Sequence, residues 1–224
     1  MDFEAIIFDL DGTLVDTAPD VWRSANHTLR LMGLREITLE QAQRSIGPGP
    51  DNFARIVLPQ GQLDRFDEFI SLFRQHYADH CLDNTQPFPG VIQLLQQLDF
   101  IRKAVASNKP RVYTEKILDQ LGLMPFFDTV VGPEDVQRVK PEPDMLLLAA
   151  QRLEARPART LMVGDTDNDI LAARRAGMPT CAVTYGYSPK TVLLALRPDY
   201  LIDSPLDLLE VLGVPSRAAS TAAR

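Results

Sequence analysis

The sequence predicts an α/β protein built on a doubly wound parallel sheet, with an all-helical unit inserted after the first strand. Short apolar runs alternate with stretches of helical periodicity from about residue 100 onwards, a pattern typical of parallel strands covered by helices on both faces. The stretch from Asp16 to about Phe88 instead shows apolar residues at helical spacing and no convincing strand. The chain therefore divides into three parts. These are a core of residues 1–15 and 88–214, a helical insert of residues 16–87, and a small, polar tail of residues 215–224 that we expect to be disordered.

Six short apolar runs have the length and composition of buried strands. The predicted strands are Glu4–Phe8, Lys103–Ala106, Asp128–Val131, Thr160–Val163, Thr180–Val183 and Tyr200–Ile202. Helical periodicity predicts four helices in the insert and four in the core. They are Val21–Met32, Leu39–Arg44, Asn52–Leu58, Asp64–Asp79, Val112–Leu121, Pro143–Leu153, Asn168–Ala176 and Lys190–Leu196. The segment Gln86–Gly90, rich in Pro and Gly, is predicted as the return from the insert to the core.

The composition is that of a globular protein, with 45% hydrophobic and 24% charged residues. The formal net charge of −7 argues against nucleic acid as a partner, because binding to the phosphate backbone requires a basic face. The N-terminal apolar run is interrupted at once by Asp9 and Asp11, so it is neither a signal peptide nor a membrane span. Cys81 and Cys181 lie far apart without metal-binding spacing, which favours buried thiols in a reducing compartment and a cytoplasmic location.

The helical insert carries the three histidines of the chain and several aromatic residues. His76 and His80 have the four-residue spacing of a metal pair, but no acidic partner motif accompanies them, so metal binding is not favoured there. The aromatic residues fit a hydrophobic core better than a substrate site. They are Trp22, Phe53, Phe66, Phe69 and Phe73.

Asp9 and Asp11 directly follow the first predicted strand. Alternate residues of an extended segment point the same way, so both carboxylates should face one site at the carboxyl end of the strand. That edge is where open α/β sheets bind ligands. Carboxylates this close repel each other, and a divalent cation relieves the repulsion; oxygen ligands suit Mg²⁺. The alternative is an Asp-Gly turn that merely closes the strand.

A second acidic cluster, Asp165 to Asp169, follows the strand predicted at Thr160–Val163. Asp165 lies at the strand end, and Asp169 falls in the first turn of the predicted helix. Acids in that turn can simply cap the helix, which is the alternative for Asp167 and Asp169. Two strand ends that both carry carboxylates are better explained by a shared metal.

Two further strand ends supply neutral and positive groups. Ser107 and Asn108 follow the strand predicted at Lys103–Ala106, and their hydroxyl and amide suit hydrogen bonds to phosphoryl oxygens. Lys140 lies just before a helix opened by prolines, and a single lysine in such a place is often an ordinary surface residue.

Together these segments resemble the four motifs of the haloacid dehalogenase-like hydrolase superfamily. The motifs read DLDGTLVDT, ASNK, VKPEPD and VGDTDND, in this order. The resemblance spans residues 3 to about 213 and includes the helical insert, which looks like the cap that follows the first motif in one branch. Within that branch the chain looks most like the phosphoglycolate phosphatases. The segments that carry this finer likeness are Thr17–Pro19, Ile46–Gly49, Asn108–Pro110 and Tyr185–Tyr187.

The resemblance implies a Mg²⁺-dependent hydrolase of a small phosphorylated metabolite, with 2-phosphoglycolate as the first candidate. It implies Asp9 as the nucleophile that forms an aspartyl-phosphate, Asp11 as general acid and base, and Lys140 as the group that neutralises developing charge. Mg²⁺ would be held by Asp9, the backbone carbonyl of Asp11 and Asp165, with Asp169 orienting Lys140 or metal-bound water. The implied phosphate- or substrate-binding residues are Thr13, Ser107, Asn108 and Gly47.

Other reactions of the same superfamily fit the sequence less well. A dehalogenase has no need of Asp11 or of a metal site, and a phosphonate hydrolase needs a cap lysine, whereas this chain has no lysine before Lys103. A hexose-phosphate mutase places Lys or Arg beside the cap glycine; the segment Ser45–Pro50 offers neither, although Arg44 is near. A sugar-phosphate phosphatase and a catalytically silent binding protein on the same fold stay open. The sequence does not predict an oligomeric state.

Overall fold

The computed structural model describes residues 3–214, so the tail expected to be disordered lies outside the described residues. Its strands are β1 (Ala5–Phe8), β2 (Val15–Asp16), β3 (Gln86–Pro87), β4 (Arg102–Ala106), β5 (Thr129–Val131), β6 (Thr160–Gly164), β7 (Thr180–Val183) and β8 (Tyr200–Ile202). Six of them form one sheet in the order β5-β4-β1-β6-β7-β8, and all its neighbouring strands run parallel. β2 and β3 form a separate antiparallel pair where the chain leaves and re-enters the core.

Helices fill the connections between these strands. They are α1 (Ala18–Leu31), α2 (Leu39–Ser45), α3 (Pro50–Val57), α4 (Phe66–His80), α5 (Val91–Gln97), α6 (Arg111–Gln120), α7 (Asp144–Arg152), α8 (Asp167–Ala176), α9 (Lys190–Ala195) and α10 (Leu208–Val211). Short 3₁₀ helices add five further turns. They cover Gln60–Arg65, Met124–Phe126, Pro133–Asp135, Pro157–Arg159 and Pro205–Asp207.

The six predicted strands and eight predicted helices are all present, with ends that shift by a few residues. The sequence prediction missed the β2–β3 pair, because two-residue strands are too short to show an alternating pattern. It also missed α5 and α10, which have seven and four residues and therefore show little helical periodicity. The predicted fold class, a doubly wound parallel α/β sheet with a helical insertion, is confirmed.

The central sheet buries both of its faces. Side chains alternate along β1, so Ile6 and Phe8 join one hydrophobic cluster while Ala5 and Ile7 join another on the opposite face. Helix α5 covers the first face and α7 covers the second. Helices α1 to α4 pack around a third cluster of their own. Its large aromatic members are Phe53, Phe69, Phe73 and Tyr77.

The strand register brings three loops to one edge of the sheet. Phe8, the last residue of β1, pairs with Val105 of β4 and with Val163 of β6. The residues that follow each of these strands therefore emerge side by side at the carboxyl edge. This places Asp9 between the loop after β4 and the loop after β6, as the sequence analysis expected.

Two remaining predictions from the sequence concern membrane spans and the redox state of the compartment. Among residues 3–214, no helix combines the length and apolar character that crossing a membrane requires. Cys81 and Cys181 are both buried and both carry free thiols. The reducing compartment inferred from the cysteines stays a prediction.

Candidate active site

Lys140 forms the centre of a buried ionic cluster at the carboxyl edge of the sheet. Its Nζ donates to Asp9 Oδ1 at 2.8 Å, to Asp169 Oδ1 at 2.7 Å and to the Ala106 carbonyl at 2.8 Å. All three ammonium protons therefore have an acceptor. Only 3% of Lys140 is exposed, so it is a buried, fully engaged cation and not the surface lysine that the sequence left open.

Asp169 holds Lys140 from the start of α8. Thr166 is the N-cap of this helix and forms a capping box with Asp169. Asp169 Oδ2 accepts from the Thr166 backbone N–H at 3.0 Å and from its hydroxyl at 2.7 Å. The capping alternative for Asp169 is therefore correct for one oxygen, while the other oxygen binds Lys140.

Asp165 is fully buried beside Asp9 and is held by donors to both of its oxygens. The Thr13 hydroxyl donates to Oδ1 at 3.3 Å, and the Tyr187 backbone N–H donates to Oδ2 at 2.8 Å. Gly12 and Gly186 lie against this carboxylate. A Cβ on Gly12 would lie 2.2 Å from Asp165 Oδ2, and one on Gly186 would lie 2.3 Å from Asp165 Cβ. A side chain at either glycine would therefore displace Asp165.

These carboxylates provide a donor set that fits a hard divalent cation. Asp9, Asp165 and Asp169 each have a carboxylate oxygen within 4.8 Å of the others, and all three residues are buried. Oxygen donors with excess negative charge are what Mg²⁺ prefers. Asp169 is engaged at both oxygens by Lys140 and Thr166, whereas Asp165 receives neutral donors and Asp9 is engaged by Lys140 at Oδ1, so Asp9 and Asp165 are the better ligand candidates.

Burial and neighbouring charges shift the pKa values of Asp9, Asp165 and Lys140. It raises the pKa of Asp9 to about 7, although Lys140 opposes the shift, and it raises the pKa of Asp165 well above the usual range. Burial also opposes the charge on Lys140, but the Asp169 and Asp9 carboxylates outweigh it and raise the Lys140 pKa. A bound cation would offset the cost of keeping Asp9 and Asp165 ionised at neutral pH.

Asp11 belongs to a second ionic group that joins the core to the helical insert. Its Oδ1 lies 3.1 Å from Lys109 Nζ and also accepts a short hydrogen bond from the Thr17 hydroxyl. Lys109 in turn donates to the Tyr77 hydroxyl of α4 at 3.0 Å, and its Nζ lies 4.9 Å from the Tyr77 ring centroid. Burial opposes the charge on Lys109, but Asp11 and Tyr77 raise its pKa, so it is a cation at neutral pH.

Asn108 joins Lys140 to the insert through its side-chain amide. Its Oδ1 accepts from the Lys140 backbone N–H at 3.0 Å, and its Nδ2 donates to the Lys140 carbonyl at 2.8 Å and to the Gly47 carbonyl at 2.9 Å. The loop of Gly47 to Gly49 comes this close because it lacks side chains at both glycines. A Cβ on Gly49, whose φ is +88°, would lie 3.2 Å from the Asn108 carbonyl.

Asp9 and Asp11 open into a small cavity between the core and the insert, with a volume of about 60 Å³. Ser107 and Lys109 line it from the core, and Gly47 lines it from the insert, as the sequence analysis expected for this glycine. Its other walls come mostly from apolar and aromatic residues. These include Val21, Ile46, Phe53, Phe73, Tyr77 and Tyr113. Phe53, Phe69 and Phe73 lie in the core of the insert, as predicted, while Trp22 and Phe66 pack partly buried against it. Phe53, Phe73 and Tyr77 also face the cavity.

The structure brings most of the predicted site residues together at one edge of the sheet. Asp9, Lys140, Asp165 and Asp169 form the first ionic cluster, and Ser107 and Gly47 line the adjoining cavity with Asp9 and Asp11. The side chains of Thr13 and Asn108 are engaged by Asp165, Lys140 and Gly47. Their proposed contact with phosphate stays a prediction.

Sequence reasoning gave no role to Lys109, Tyr77 or Tyr187. Lys109 follows Asn108 at a strand end, which is a usable signal, whereas nothing in the sequence links Tyr77 to Asp11. The Tyr187 hydroxyl accepts from the backbone N–H groups of Thr17 and Ala18, at 2.8 and 3.0 Å, and donates to Asp16 at 2.9 Å. It therefore ties the loop after β7 to the start of the insert.

Known proteins resemble this chain over most of its length. The family model described as haloacid dehalogenase-like hydrolase matches residues 6–183. A phosphoglycolate phosphatase from Aquifex aeolicus is 36% identical over 92% of this chain and 95% of its own length. A plasmid-encoded phosphoglycolate phosphatase from Cupriavidus necator is 37% identical over 97% of this chain and 96% of its own length.

Solved structures show the same architecture. A predicted phosphoglycolate phosphatase from Haemophilus somnus superposes with a TM-score of 0.88 at 28% identity, covering 95% of this chain and 99% of its own. A haloacid dehalogenase-like hydrolase from Streptococcus pneumoniae superposes with a TM-score of 0.85 at 27% identity, covering 94% and 99%. The chain therefore belongs to the haloacid dehalogenase-like hydrolase family, in its phosphoglycolate phosphatase-like branch.

Proposed function

We propose that this phosphoric monoester hydrolase removes phosphate from a small metabolite with the help of Mg²⁺, through an aspartyl-phosphate on Asp9, and that 2-phosphoglycolate is its substrate. The observation that carries the proposal is the position of Asp9. This buried carboxylate contacts Lys140, lies beside Asp165 and faces a cavity that Asp11 also lines. A nucleophile, a cation, a metal-ligand candidate and a second carboxylate thus share one enclosed site.

Asp9 acts as the nucleophile in the first step. One of its oxygens forms a bond to phosphorus while the bond between phosphorus and the ester oxygen breaks. Lys140 lies 2.8 Å from Asp9 Oδ1, so its positive charge stabilises the negative charge of the transferring group. Asp169 keeps Lys140 in this position through a 2.7 Å contact.

Asp9, Asp165 and the backbone carbonyl of Asp11 would hold the Mg²⁺. The ion would neutralise charge on the phosphoryl oxygens. The oxygen-rich, buried donor set at Asp9 and Asp165 supports this assignment.

Asp11 moves the protons of both steps. It gives a proton to the departing alkoxide in the first step and takes one from the water that attacks phosphorus in the second, which frees Asp9. Its place on the cavity wall beside Asp9 supports this role. Ser107, which also lines the cavity, would donate to the transferring group.

Residues 16–87 would act as a cap that closes the site, with residues 1–15 and 88–214 as the catalytic core. The separate hydrophobic cluster of α1 to α4 supports this division. The names of the curated relatives favour 2-phosphoglycolate as the substrate. The free, buried thiols fit a cytoplasmic enzyme.

The proposal is tested by phosphate release from a panel of small phosphomonoesters, with and without Mg²⁺. We expect 2-phosphoglycolate to give the highest kcat/KM, and EDTA to abolish turnover. With ³²P-labelled substrate, acid quenching should trap label on the wild-type protein and none on Asp9→Asn. Asp167→Asn is the matched control, because Asp167 is exposed at the start of α8, two residues after Asp165.

Three outcomes would contradict parts of the proposal. Equal inactivity of wild type and Asp9→Asn with every ester would favour a silent binding protein. Consumption of a sugar bisphosphate without phosphate release would favour a mutase. A higher kcat/KM for a sugar phosphate would retain the mechanism and replace the substrate.

A further inference from the structure

Two cationic side chains, Lys109 and Arg74, are among the described residues that line the cavity. Lys109 lies at the buried end, next to Asp11, with only 8% of its side chain exposed. Arg74 lies at the rim with half of its side chain exposed, and it pairs with Asp51 at 3.1 Å. The two cations therefore differ in how deeply they are buried.

We propose that Lys109 binds the carboxylate of the substrate and thereby selects 2-phosphoglycolate over uncharged esters of the same length. This inference rests on the proposed function, because it assigns one group of that substrate to one residue. Lys109 would be a substrate-binding residue that acts at the end of the substrate opposite to the transferred phosphate.

The covalent geometry of the substrate supports this assignment. Asp11 must reach the ester oxygen to protonate it, and only one methylene group separates that oxygen from the carboxylate carbon. The cation that binds the carboxylate must therefore lie within a few ångströms of Asp11. Lys109 Nζ, 3.1 Å from Asp11 Oδ1, meets this requirement.

The charge balance of the cavity also favours Lys109 as the residue that binds the substrate carboxylate. A phosphate and a carboxylate bring negative charge next to Asp9 and Asp11, and an unpaired buried carboxylate is costly. Lys109 uses two of its three ammonium protons, one for Tyr77 and one for Asp11, so a third proton is available to a ligand in the cavity that it lines. Tyr77 fixes the lysine from the cap side, which orients that proton before substrate arrives.

The test compares 2-phosphoglycolate with ethyl phosphate, in which a methyl group replaces the carboxylate. Lys109→Met should lower kcat/KM for 2-phosphoglycolate by about 10- to 100-fold more than for ethyl phosphate, because it removes a hydrogen bond between charged groups. Lys116→Met is the matched control: Lys116 also reaches α4 from the core, through the Ala78 carbonyl at 2.6 Å, but lies outside the cavity lining. Its ratio of the two kcat/KM values should equal that of wild type.

The ratio of kcat/KM for 2-phosphoglycolate to kcat/KM for ethyl phosphate separates carboxylate binding from the other contacts of Lys109. Loss of the Lys109–Asp11 pair would slow both substrates equally, and a fraction of unfolded protein would cancel in the ratio. An equal loss for both substrates would therefore overturn the inference and leave the proposed function standing. Wild type that hydrolyses neither ester would instead refute the proposed function.

Lys109→Arg provides a second variant in case the methionine variant does not fold. It retains the charge, so it should keep a preference for 2-phosphoglycolate over ethyl phosphate. A retained preference in Lys109→Arg would support the inference. A Lys109→Arg protein that folds and hydrolyses both esters with the same kcat/KM would overturn it.

Discussion

The side-chain amide of Asn108 offers a direct test of how the helical insert is coupled to Lys140. The sequence suggested that Asn108 binds phosphate, whereas the structure engages its amide with the Lys140 backbone and the Gly47 carbonyl. Replacing Asn108 by Ala removes all three hydrogen bonds. It also leaves the Lys140 backbone N–H and two carbonyl oxygens without this partner.

The expected loss of stability follows from these bonds. A typical hydrogen bond contributes about 1 kcal/mol net, and a buried group left without a partner costs about 1–3 kcal/mol. Asn108→Ala should therefore lower the free energy of unfolding by about 2–4 kcal/mol. Asn52→Ala, in the first turn of α3, is the matched control, since it removes one exposed hydrogen bond to the Pro48 carbonyl and should cost about 0.5 kcal/mol or less.

Urea unfolding and steady-state kinetics measured on the same preparations decide between the two roles of Asn108. If the amide positions Lys140, the urea midpoint falls by roughly 1 M and kcat falls more than KM rises. If Asn108 acts on bound phosphate instead, KM rises while the urea midpoint stays near that of wild type. The second result would refute the reasoning from the structure.

Three further predictions concern the metal site and the cap. Gly12→Ala should destabilise the protein by about 2–4 kcal/mol and abolish turnover, seen by urea unfolding and phosphate release, because its Cβ would lie 2.2 Å from Asp165 Oδ2 at a φ of +79°. Mg²⁺ should raise the thermal unfolding midpoint of wild type, because the ion offsets the repulsion between buried carboxylates. It should not raise the midpoint of Asp165→Asn, which lacks one of these carboxylates. Burial and the stacked His27 and His80 lower the pKa of His76 below 6.5, so as pH falls His76 takes up a proton in the unfolded chain before it does so in the folded protein. The folded protein therefore loses stability as pH falls below about 6.5. Urea unfolding of His76→Gln should show a smaller loss of stability than wild type between about pH 7.5 and 5.5.

The convergence of the acidic residues could be predicted because strand ends obey a simple rule. Asp9, Ser107 and Asp165 each follow a buried parallel strand, and such strands end at the same edge of a sheet. That these three residues lie close together could therefore be predicted without knowing how the helices pack. The role of Thr13 came from resemblance alone and that of Asn108 also from its amide at a strand end, and the structure adds protein partners for both side chains.

The contacts between the cap and the core could not be predicted in this way. Lys109 meets Tyr77, and Tyr187 meets Thr17, only after α4 and the loop after β7 have packed against the core. Their partners are 32 and 170 residues apart in the chain, and no periodic pattern specifies such a distance. Thr17 illustrates the difficulty further. It occupies the N-cap of α1, yet its hydroxyl bonds Asp11 and does not cap its own helix.

Two of the polar contacts between the helical insert and the core fall on consecutive residues of the loop after β4, so the proposed cap reaches both ionic groups of the site through one loop. Gly47 accepts from Asn108, which binds the Lys140 backbone, and Tyr77 accepts from Lys109, which pairs with Asp11. Breaking both contacts costs about 1–3 kcal/mol net, a cost that a substrate pairing with Lys109 can offset. Opening of the proposed cap would therefore remove the Tyr77 contact of Lys109, the partner of Asp11, whereas Lys140 would keep its core contacts with Asp9, Asp169 and the Ala106 carbonyl.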